Sequence, residues 1–199
     1  MFGRARSEPR PTVLRDVDVD LGAVAAARRE PQRFADLYRK YLPQVYSFAF
    51  YELGNHHDAE DVTERVFLSA FAALPRFEER GEAASTFRVW LFRIARNAIS
   101  NHRRTLGRRR EAPVALAGDV AGGLEPDRLA IHGEEQRRAF AAVRRLPADR
   151  RRAVILRFVE EMSIREIAAV MERSEGAVRV LIHRALRSVA RELAGTNPA

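Results

Sequence analysis

A stretch near the middle of the chain, residues 85–104 (STFRVWLFRIARNAISNHRR), most constrains the fold. Its apolar residues recur at steps of three and four, which places them on one stripe of a helix of about five turns. The stripe comprises Phe87, Trp90, Leu91, Ile94, Ala95, Ala98 and Ile99. An apolar stripe of this length must pack against other elements, so we expect the rest of the domain to be built around this helix.

The other side of the same helix is basic. Residues 85–110 contain eight arginines and no acidic residue. A face that serves only solubility usually carries both signs of charge, so a purely cationic face indicates a polyanionic partner. Short polar side chains between the arginines are able to contact base edges or phosphates. The candidate nucleic-acid contacts are Arg96, Asn97, Ser100, Asn101, Arg103 and Arg104.

The composition of the chain agrees with such a partner. The 199 residues have a formal net charge of +8, and Lys40 is the one lysine among 35 basic residues. Arginine is well suited to phosphate contacts. The chain has no cysteine, so neither disulfides nor thiolate zinc sites are expected. It also has no apolar run that approaches the roughly 20 residues of a membrane span, and no signal-peptide core, so we expect a cytoplasmic protein without membrane insertion.

The periodicity predicts an all-α fold with two small helical domains. Almost every periodic segment repeats at 3.6 residues. Residues 111–133 are rich in glycine, alanine and proline and lack a sustained period, which predicts a flexible linker. We therefore expect a first domain at residues 18–110 and a second at residues 134–194, preceded by a disordered extension at residues 1–17.

One region of the first domain is acidic. Residues 52–64 contain five acidic residues and no arginine or lysine. Acidic residues in a first helical turn stabilise the positive end of the helix. An acidic face on such a basic chain also fits a basic protein partner. We interpret His56 and His57, which are adjacent at this helix start, as loop residues and not as metal ligands.

The second domain contains a helix pair. Ser163 and Glu166 form a predicted capping box that opens a short helix, and Ser174 is the predicted N-cap of a longer one. Two helices joined by a turn of about three residues are typical of a helix-turn-helix. Residues 137–194 contain fourteen arginines and seven acidic residues. Together the capped turn and the basic second helix predict DNA binding.

The order of these parts resembles a bacterial sigma factor of the extracytoplasmic-function (ECF) class, the compact members of the sigma-70 family that have only regions two and four. Residues 58–71 (DAEDVTERVFLSAF) are similar to region 2.2, residues 85–104 to regions 2.3 and 2.4, and residues 146–189 to region four. The resemblance implies a non-enzymatic protein, without cofactor or metal, that binds core RNA polymerase, directs it to promoters and assists strand opening.

The resemblance also assigns residues to three surfaces. For the polymerase β′ clamp helices it implies Asp58, Glu60, Asp61, Glu64 and Phe67. For the minus-ten element it implies Arg96, Asn97, Ser100, Asn101, Arg103 and Arg104. For the minus-thirty-five element it implies Arg165, Ser174, Arg179, His183, Arg184 and Arg187. The polymerase β flap and an anti-sigma factor are further implied partners, and the loop at residues 77–84 would receive a flipped base.

Four residues at three places depart from the family pattern. Glu64-Arg65 stands where Gln-Glu, or a small residue and Glu, is frequent in region 2.2. Glu161 and Glu172 stand where glycine is common. Because non-glycine residues are disfavoured at positive φ, we expect a strained turn at Glu172.

Three other classes of function remain open from the residues alone. A stand-alone helix-turn-helix regulator, with a first domain that senses a ligand or dimerises, would bind promoter DNA without polymerase. A helical enzyme is disfavoured because we find no paired carboxylates in a plausible pocket, no phosphate-binding glycine loop and no metal-ligand spacing. An adaptor that binds only proteins is disfavoured by the arginine excess on two separate elements.

Overall fold

The computed structural model describes residues 20–78, 86–111 and 134–195. These residues form helices and short connections without strands, which confirms the all-α prediction. No helix within these ranges is long and apolar enough to cross a membrane. The expected extension at residues 1–17, the linker beyond residue 111 and most of the loop at residues 77–84 lie outside the described residues.

The first unit, residues 20–111, contains four α-helices. They are α1 (Leu21–Arg29), α2 (Phe34–Leu53), α3 (His56–Ala73) and α4 (Phe87–Glu111), with 3₁₀ turns at Pro31–Arg33 and Leu74–Arg76. Gly54 ends α2 in the left-handed conformation with φ 74°. The Asn55 side chain then accepts a hydrogen bond from the backbone N–H of Asp58 at 3.0 Å and caps α3. Helix α3 therefore begins at His56, and the interpretation of His56 and His57 as loop residues is wrong.

Helix α4 is the centre of the first unit, as its apolar stripe predicts. Phe87, Leu91, Ala95 and Ile99 are fully buried, and Trp90, Ile94 and Ala98 are partly buried against the same core. Val89 and Phe92, which lie off the stripe, are buried as well. The reason is that α4 packs against α2 and α3 and also against a helix of the second unit.

The second unit, residues 134–195, contains the helix-turn-helix. Its elements are α5 (Glu134–Arg145), α6 (Ala148–Val154), a π-helical segment (Ile155–Val159), α7 (Ile164–Met171) and α8 (Glu175–Gly195). The capping box is confirmed: Ser163 Oγ accepts from Glu166 N at 3.2 Å, and Glu166 Oε2 accepts from Ser163 N at 2.8 Å. Ser174 Oγ accepts from the N–H of Ala177 at 3.2 Å and caps α8.

The two units pack directly against each other. Helix α4 contacts α7, and α2 contacts the π-helical segment. Buried apolar residues from both units form one continuous cluster. At Gly54 the approach is close enough that an added Cβ would lie 2.5 Å from Nη2 of Arg144 on α5. The described parts of the two units therefore share a core.

Candidate nucleic-acid and protein interfaces

An apolar groove runs between α2 and α3. It encloses about 400 Å³. Leu68 and Phe71 at its edge are 62% and 46% exposed, which is high for large apolar side chains. The groove is lined by Phe34, Tyr38, Leu42, Tyr46, Glu60, Thr63, Glu64, Phe67, Leu68 and Phe71. An apolar channel with two carboxylates suits a partner that presents apolar and basic side chains together.

Three of the five residues assigned to polymerase binding meet in this groove. Glu60 and Glu64 belong to its lining, one helical turn apart on α3. Phe67 is only 4% exposed and forms part of the floor, where its ring packs edge-on against Tyr38 with centroids 4.7 Å apart. Phe67 thus shapes the groove more than it presents a surface of its own.

The other two assigned acidic residues point elsewhere. Asp58 Oδ1 lies 2.9 Å from Nε2 of His102 on α4, so this carboxylate joins α3 to α4. Asp61 lies between two neighbours on its own helix, 3.7 Å from His57 Nδ1 and 3.9 Å from Arg65 Nη2. The unusual Arg65 therefore sits beside Asp61, outside the groove lining.

Part of the polar face of α4 is open to solvent. Asn97, Asn101 and Arg104 are exposed. Their side chains form short-range contacts, since Asn97 Oδ1 accepts from Arg96 Nη2 at 3.1 Å and Asn101 accepts from Arg104. This part of α4 is free to approach DNA as the structure stands.

The rest of that face is covered by acidic residues. The Arg96 side chain is 14% exposed, and its Nη2 lies 2.9 Å from Glu172 Oε2 in the helix-turn-helix. Arg103 Nη2 lies 2.7 Å from Glu52 Oε2 on α2. Ser100 is half-buried and donates to the carbonyl of Arg96 at 2.8 Å. Of the six residues assigned to the minus-ten element, three are therefore engaged inside the protein.

Glu52 is the centre of a buried charge cluster between the units. Its side chain is fully buried and lies 3.4 Å from Arg152 Nε and 3.7 Å from Arg151 Nη2, both on α6. Burial lowers the pKa of both guanidinium groups, and the Glu52 carboxylate partly offsets this effect. Sequence reasoning placed Glu52 only within an acidic region, because nothing local shows that three arginines converge on it.

A second buried carboxylate, Glu160, follows the π-helical segment. Burial raises the pKa of Glu160 to about 7, although a hydrogen bond from Ser47 and the charge of Arg88 act in the opposite direction. Arg88 on α4 also donates to the backbone carbonyl of Glu160. A titratable group therefore sits where α2, α4 and the second unit meet.

The face of the helix-turn-helix assigned to the minus-thirty-five element is open. All six assigned residues are exposed: Arg165, Ser174, Arg179, His183, Arg184 and Arg187. Arg179 Nη2 lies 3.0 Å from Glu175 Oε2, an exposed pair within α8 itself. The structure thus presents one arginine-rich helix to solvent along its length and covers much of the other.

Comparison with known families matches both units. The family model for Sigma-70 region 2 matches residues 37–109, and that for Sigma-70 region 4 matches residues 136–189. The two matches come in the order in which the sequence motifs occur. They leave the long connection between α4 and α5 unmatched.

Individual relatives agree. The chain is 32% identical over 175 residues to the RNA polymerase sigma-H factor of Pseudomonas aeruginosa, covering 83% of this chain and 89% of the relative. It is 34% identical over 166 residues to the ECF RNA polymerase sigma factor BldN of Streptomyces coelicolor, covering 82% of this chain but 61% of that longer protein. The Bartonella quintana sigma factor RpoE, solved in complex with the anti-sigma factor NepR, superimposes with a TM-score of 0.62 at 25% identity, covering 83% of this chain and 98% of RpoE. The chain therefore belongs to the sigma-70 family, as an ECF sigma factor with regions 2 and 4.

Proposed function

We propose that this protein binds core RNA polymerase in the cytoplasm and directs it to promoters, where it recognises minus-thirty-five and minus-ten elements and assists strand opening. In this role it is a non-catalytic subunit, and polymerase performs the chemistry. The first unit binds polymerase and the minus-ten element, and the second unit binds the minus-thirty-five element. An anti-sigma factor is a further proposed partner.

The observation that carries the proposal is the presence of three different surfaces on one chain of the family. The groove between α2 and α3 suits a protein partner, whereas the polar faces of α4 and α8 suit DNA phosphates and bases. A stand-alone regulator needs only one DNA-reading surface and a dimer or ligand site. Two separate DNA surfaces joined by a long connection gain affinity together when both promoter elements lie within reach.

Strand opening is assigned to α4. Its exposed amides, Asn97 and Asn101, lie beside Arg96 and Arg104, so we expect the arginines to hold the phosphate backbone while the amides meet bases. Unstacking a base costs a few kcal/mol, part of which such contacts offset. Polymerase binding supplies the remainder.

The decisive experiment is transcription by purified bacterial core polymerase on a library of randomised promoters, with and without this protein. We expect transcripts to start downstream of a shared pair of elements only when the protein is present. Promoter binding without polymerase, together with no stimulation of transcription, would instead favour the stand-alone regulator.

A second experiment tests the groove. Glu64→Arg places a cation among the lining residues and should weaken binding to core polymerase strongly at moderate salt, because a basic partner would be repelled. Glu30→Arg makes the same substitution at an exposed residue between α1 and α2 that belongs neither to the lining nor to the assigned residues. Equal loss in both variants would assign the interaction to net charge and not to the groove.

A further inference from the structure

Glu172 in the turn of the helix-turn-helix joins the two units. Its Oε1 lies 2.9 Å from Arg93 Nη2 and its Oε2 lies 2.9 Å from Arg96 Nη2, so both carboxylate oxygens bind arginines of α4. Residues 93 and 96 are separated by almost one helical turn and present their guanidinium groups side by side. One acidic side chain of the second unit therefore binds a pair of cations on the DNA-facing side of the first.

The backbone conformation at Glu172 is unusual for a residue that carries a side chain. Glu172 ends α7 in the left-handed region, with φ 55° and ψ 48°, where a residue with a Cβ is disfavoured and glycine is not. Glu161 is the other described non-glycine residue with positive φ, at 54°. No ion pair is recorded for Glu161 within the described parts of the chain, so the two positions share a backbone conformation and differ in their contacts.

We propose that Glu172 is an intramolecular latch that adds to the shared core in keeping the two units closed and that must release Arg96 before α4 binds promoter DNA. The inference rests on the proposed function in one respect, the role of Arg96 in binding the minus-ten element. The closed arrangement itself is independent of that role. In the closed form Arg96 is 14% exposed and its charge is already neutralised by Glu172.

The strength of the latch suits a contact that has to open. The Glu172 side chain is 52% exposed, and ion pairs this exposed are weak and are screened by salt. Hydrogen bonds from Arg96 and Arg93 lower the pKa of Glu172, so the carboxylate stays ionised near neutral pH. A polyanion such as DNA competes for the same two arginines. Polymerase acts differently, since it selects the open form when it binds the groove and the second unit separately.

The latch is tested by measuring the distance between the units in the free full-length protein. The chain has no cysteine, so Ser69→Cys on α3 and Ala190→Cys on α8, both exposed, introduce two unique sites for spin labels. Glu172→Gly removes the carboxylate and also relieves the strain of a positive φ. Glu161→Gly is the matched control, because it relieves the same backbone strain without removing an ion pair. We expect a longer and broader distance distribution for Glu172→Gly at low salt and an unchanged distribution for Glu161→Gly.

Two further variants separate charge from turn shape. Glu172→Gln keeps the side-chain size and should also open the protein. The reversed set Glu172→Arg with Arg93→Glu and Arg96→Glu should restore the short distance. Identical distributions for Glu172→Gly, Glu172→Gln and Glu161→Gly would overturn the latch.

A second measurement compares the affinity of these variants for core polymerase. If only the open fraction binds, the apparent affinity rises by the factor by which that fraction increases, so we expect several-fold tighter binding for Glu172→Gly than for Glu161→Gly. If the distances change as expected but no variant binds polymerase, and the parent does not bind it either, the proposed function is disproved and the latch still stands. Equal polymerase affinity in the two variants, with a confirmed change in distance, would show that the latch does not control assembly.

Discussion

Helices α4 and α8 look alike in sequence and differ in what surrounds their arginines. Both have an apolar stripe in the core and a polar face rich in arginine. On α8, Arg184 and Arg187 are exposed, and Arg179 pairs only with a neighbour on its own helix. On α4, Arg96 and Arg103 are bound by carboxylates from other elements. The availability of an arginine is therefore decided by acidic residues far away in the chain, not by its place on the helix.

Under the proposed function, this difference places the two helices at different stages of promoter binding. The arginine face of α8 is open in the form described here, whereas Arg96 on α4 first has to lose its contact to Glu172 of the second unit. Under the proposed function, the upstream element would meet a preformed surface on α8, and the rest of the α4 face would be exposed later. The following predictions test this contrast, beginning with the largest expected effect.

The buried cluster around Glu52 should be far more sensitive than any pair on α8. Glu52→Gln removes the buried carboxylate that lies near Arg103, Arg151 and Arg152, and breaking a buried ion pair typically costs about 3–5 kcal/mol. The matched variant Glu175→Gln removes the exposed partner of Arg179 and should cost less than about 1 kcal/mol. Urea unfolding measures both. If Glu52→Gln lowers the free energy of unfolding as little as Glu175→Gln does, the cluster is not closed to water.

Stability should fall as pH rises through neutrality, because of Glu160. Its pKa is about 7 in the folded protein against 4.5 for an ordinary glutamate. A carboxyl group whose pKa is higher in the folded than in the unfolded protein makes its full contribution to stability below about pH 4.5. This contribution to the free energy of unfolding is lost as the pH rises through 7. The loss of stability has an upper bound of roughly 3–4 kcal/mol, because a rise in pKa from 4.5 to about 7 counts 1.36 kcal/mol per pKa unit.

The measurement is the free energy of unfolding between pH 5 and pH 8. Glu160→Gln should flatten this part of the profile, because an amide does not titrate. The groups that face Glu160 are Ser47, Arg88 and Tyr51, and no histidine is among them. A profile that keeps its slope in Glu160→Gln would assign the pH dependence to another group.

Arg184 on α8 should contribute to promoter binding whether or not the latch is present. Arg184→Ala should cost about 1–3 kcal/mol of holoenzyme binding and relax preference at one position if Arg184 reads a base, or weaken all sequences alike if it binds phosphate. Arg191→Ala, on the same helix beyond the assigned residues, is the control and should change little. The Arg184→Ala loss should be the same in the Glu172→Gly background, and a much smaller loss there would mean that α8 is not preformed.

The two serine caps should give the smallest effects and differ in kind. Ser163→Ala removes one half of a reciprocal capping box and should lower the free energy of unfolding by about 1 kcal/mol, without any direct effect on DNA. Ser174→Ala removes a single capping hydrogen bond at 3.2 Å, so a similar or smaller loss is expected. Because Ser174 is also assigned to DNA, only Ser174→Ala should reduce promoter affinity beyond its effect on stability.

The features that could be predicted from the sequence are local. The capping box at Ser163, the cap at Ser174 and the apolar stripe of α4 depend on residues within a few positions of one another. The start of α3 is an exception, because His56 and His57 are interpreted as loop residues from the sequence, whereas the Asn55 side chain caps the helix directly before them. Asparagine occurs both as an N-cap and as the residue that ends a helix, and only the backbone conformation decides between these two roles.

The contacts between the units could not be predicted in the same way. Glu172 lies 76 residues from Arg96 and 79 from Arg93 along the chain. No periodicity connects positions so far apart, and glutamate and arginine are both ordinary surface residues. One clue was present: Val89 and Phe92 are apolar but lie off the α4 stripe, which is the pattern of a helix covered on more than one side. That pattern indicates a second packing partner for α4.

Gly54 has a consequence for how this sequence can change over generations. The residue ends α2 in a left-handed conformation, and the space that a side chain would fill is taken by the Arg144 guanidinium of α5. Any mutation away from glycine would disturb a helix terminus in one unit and displace a cation in the other. A substitution at this single codon would therefore reach both units at once, through a strained helix terminus in the first and a displaced arginine side chain in the second.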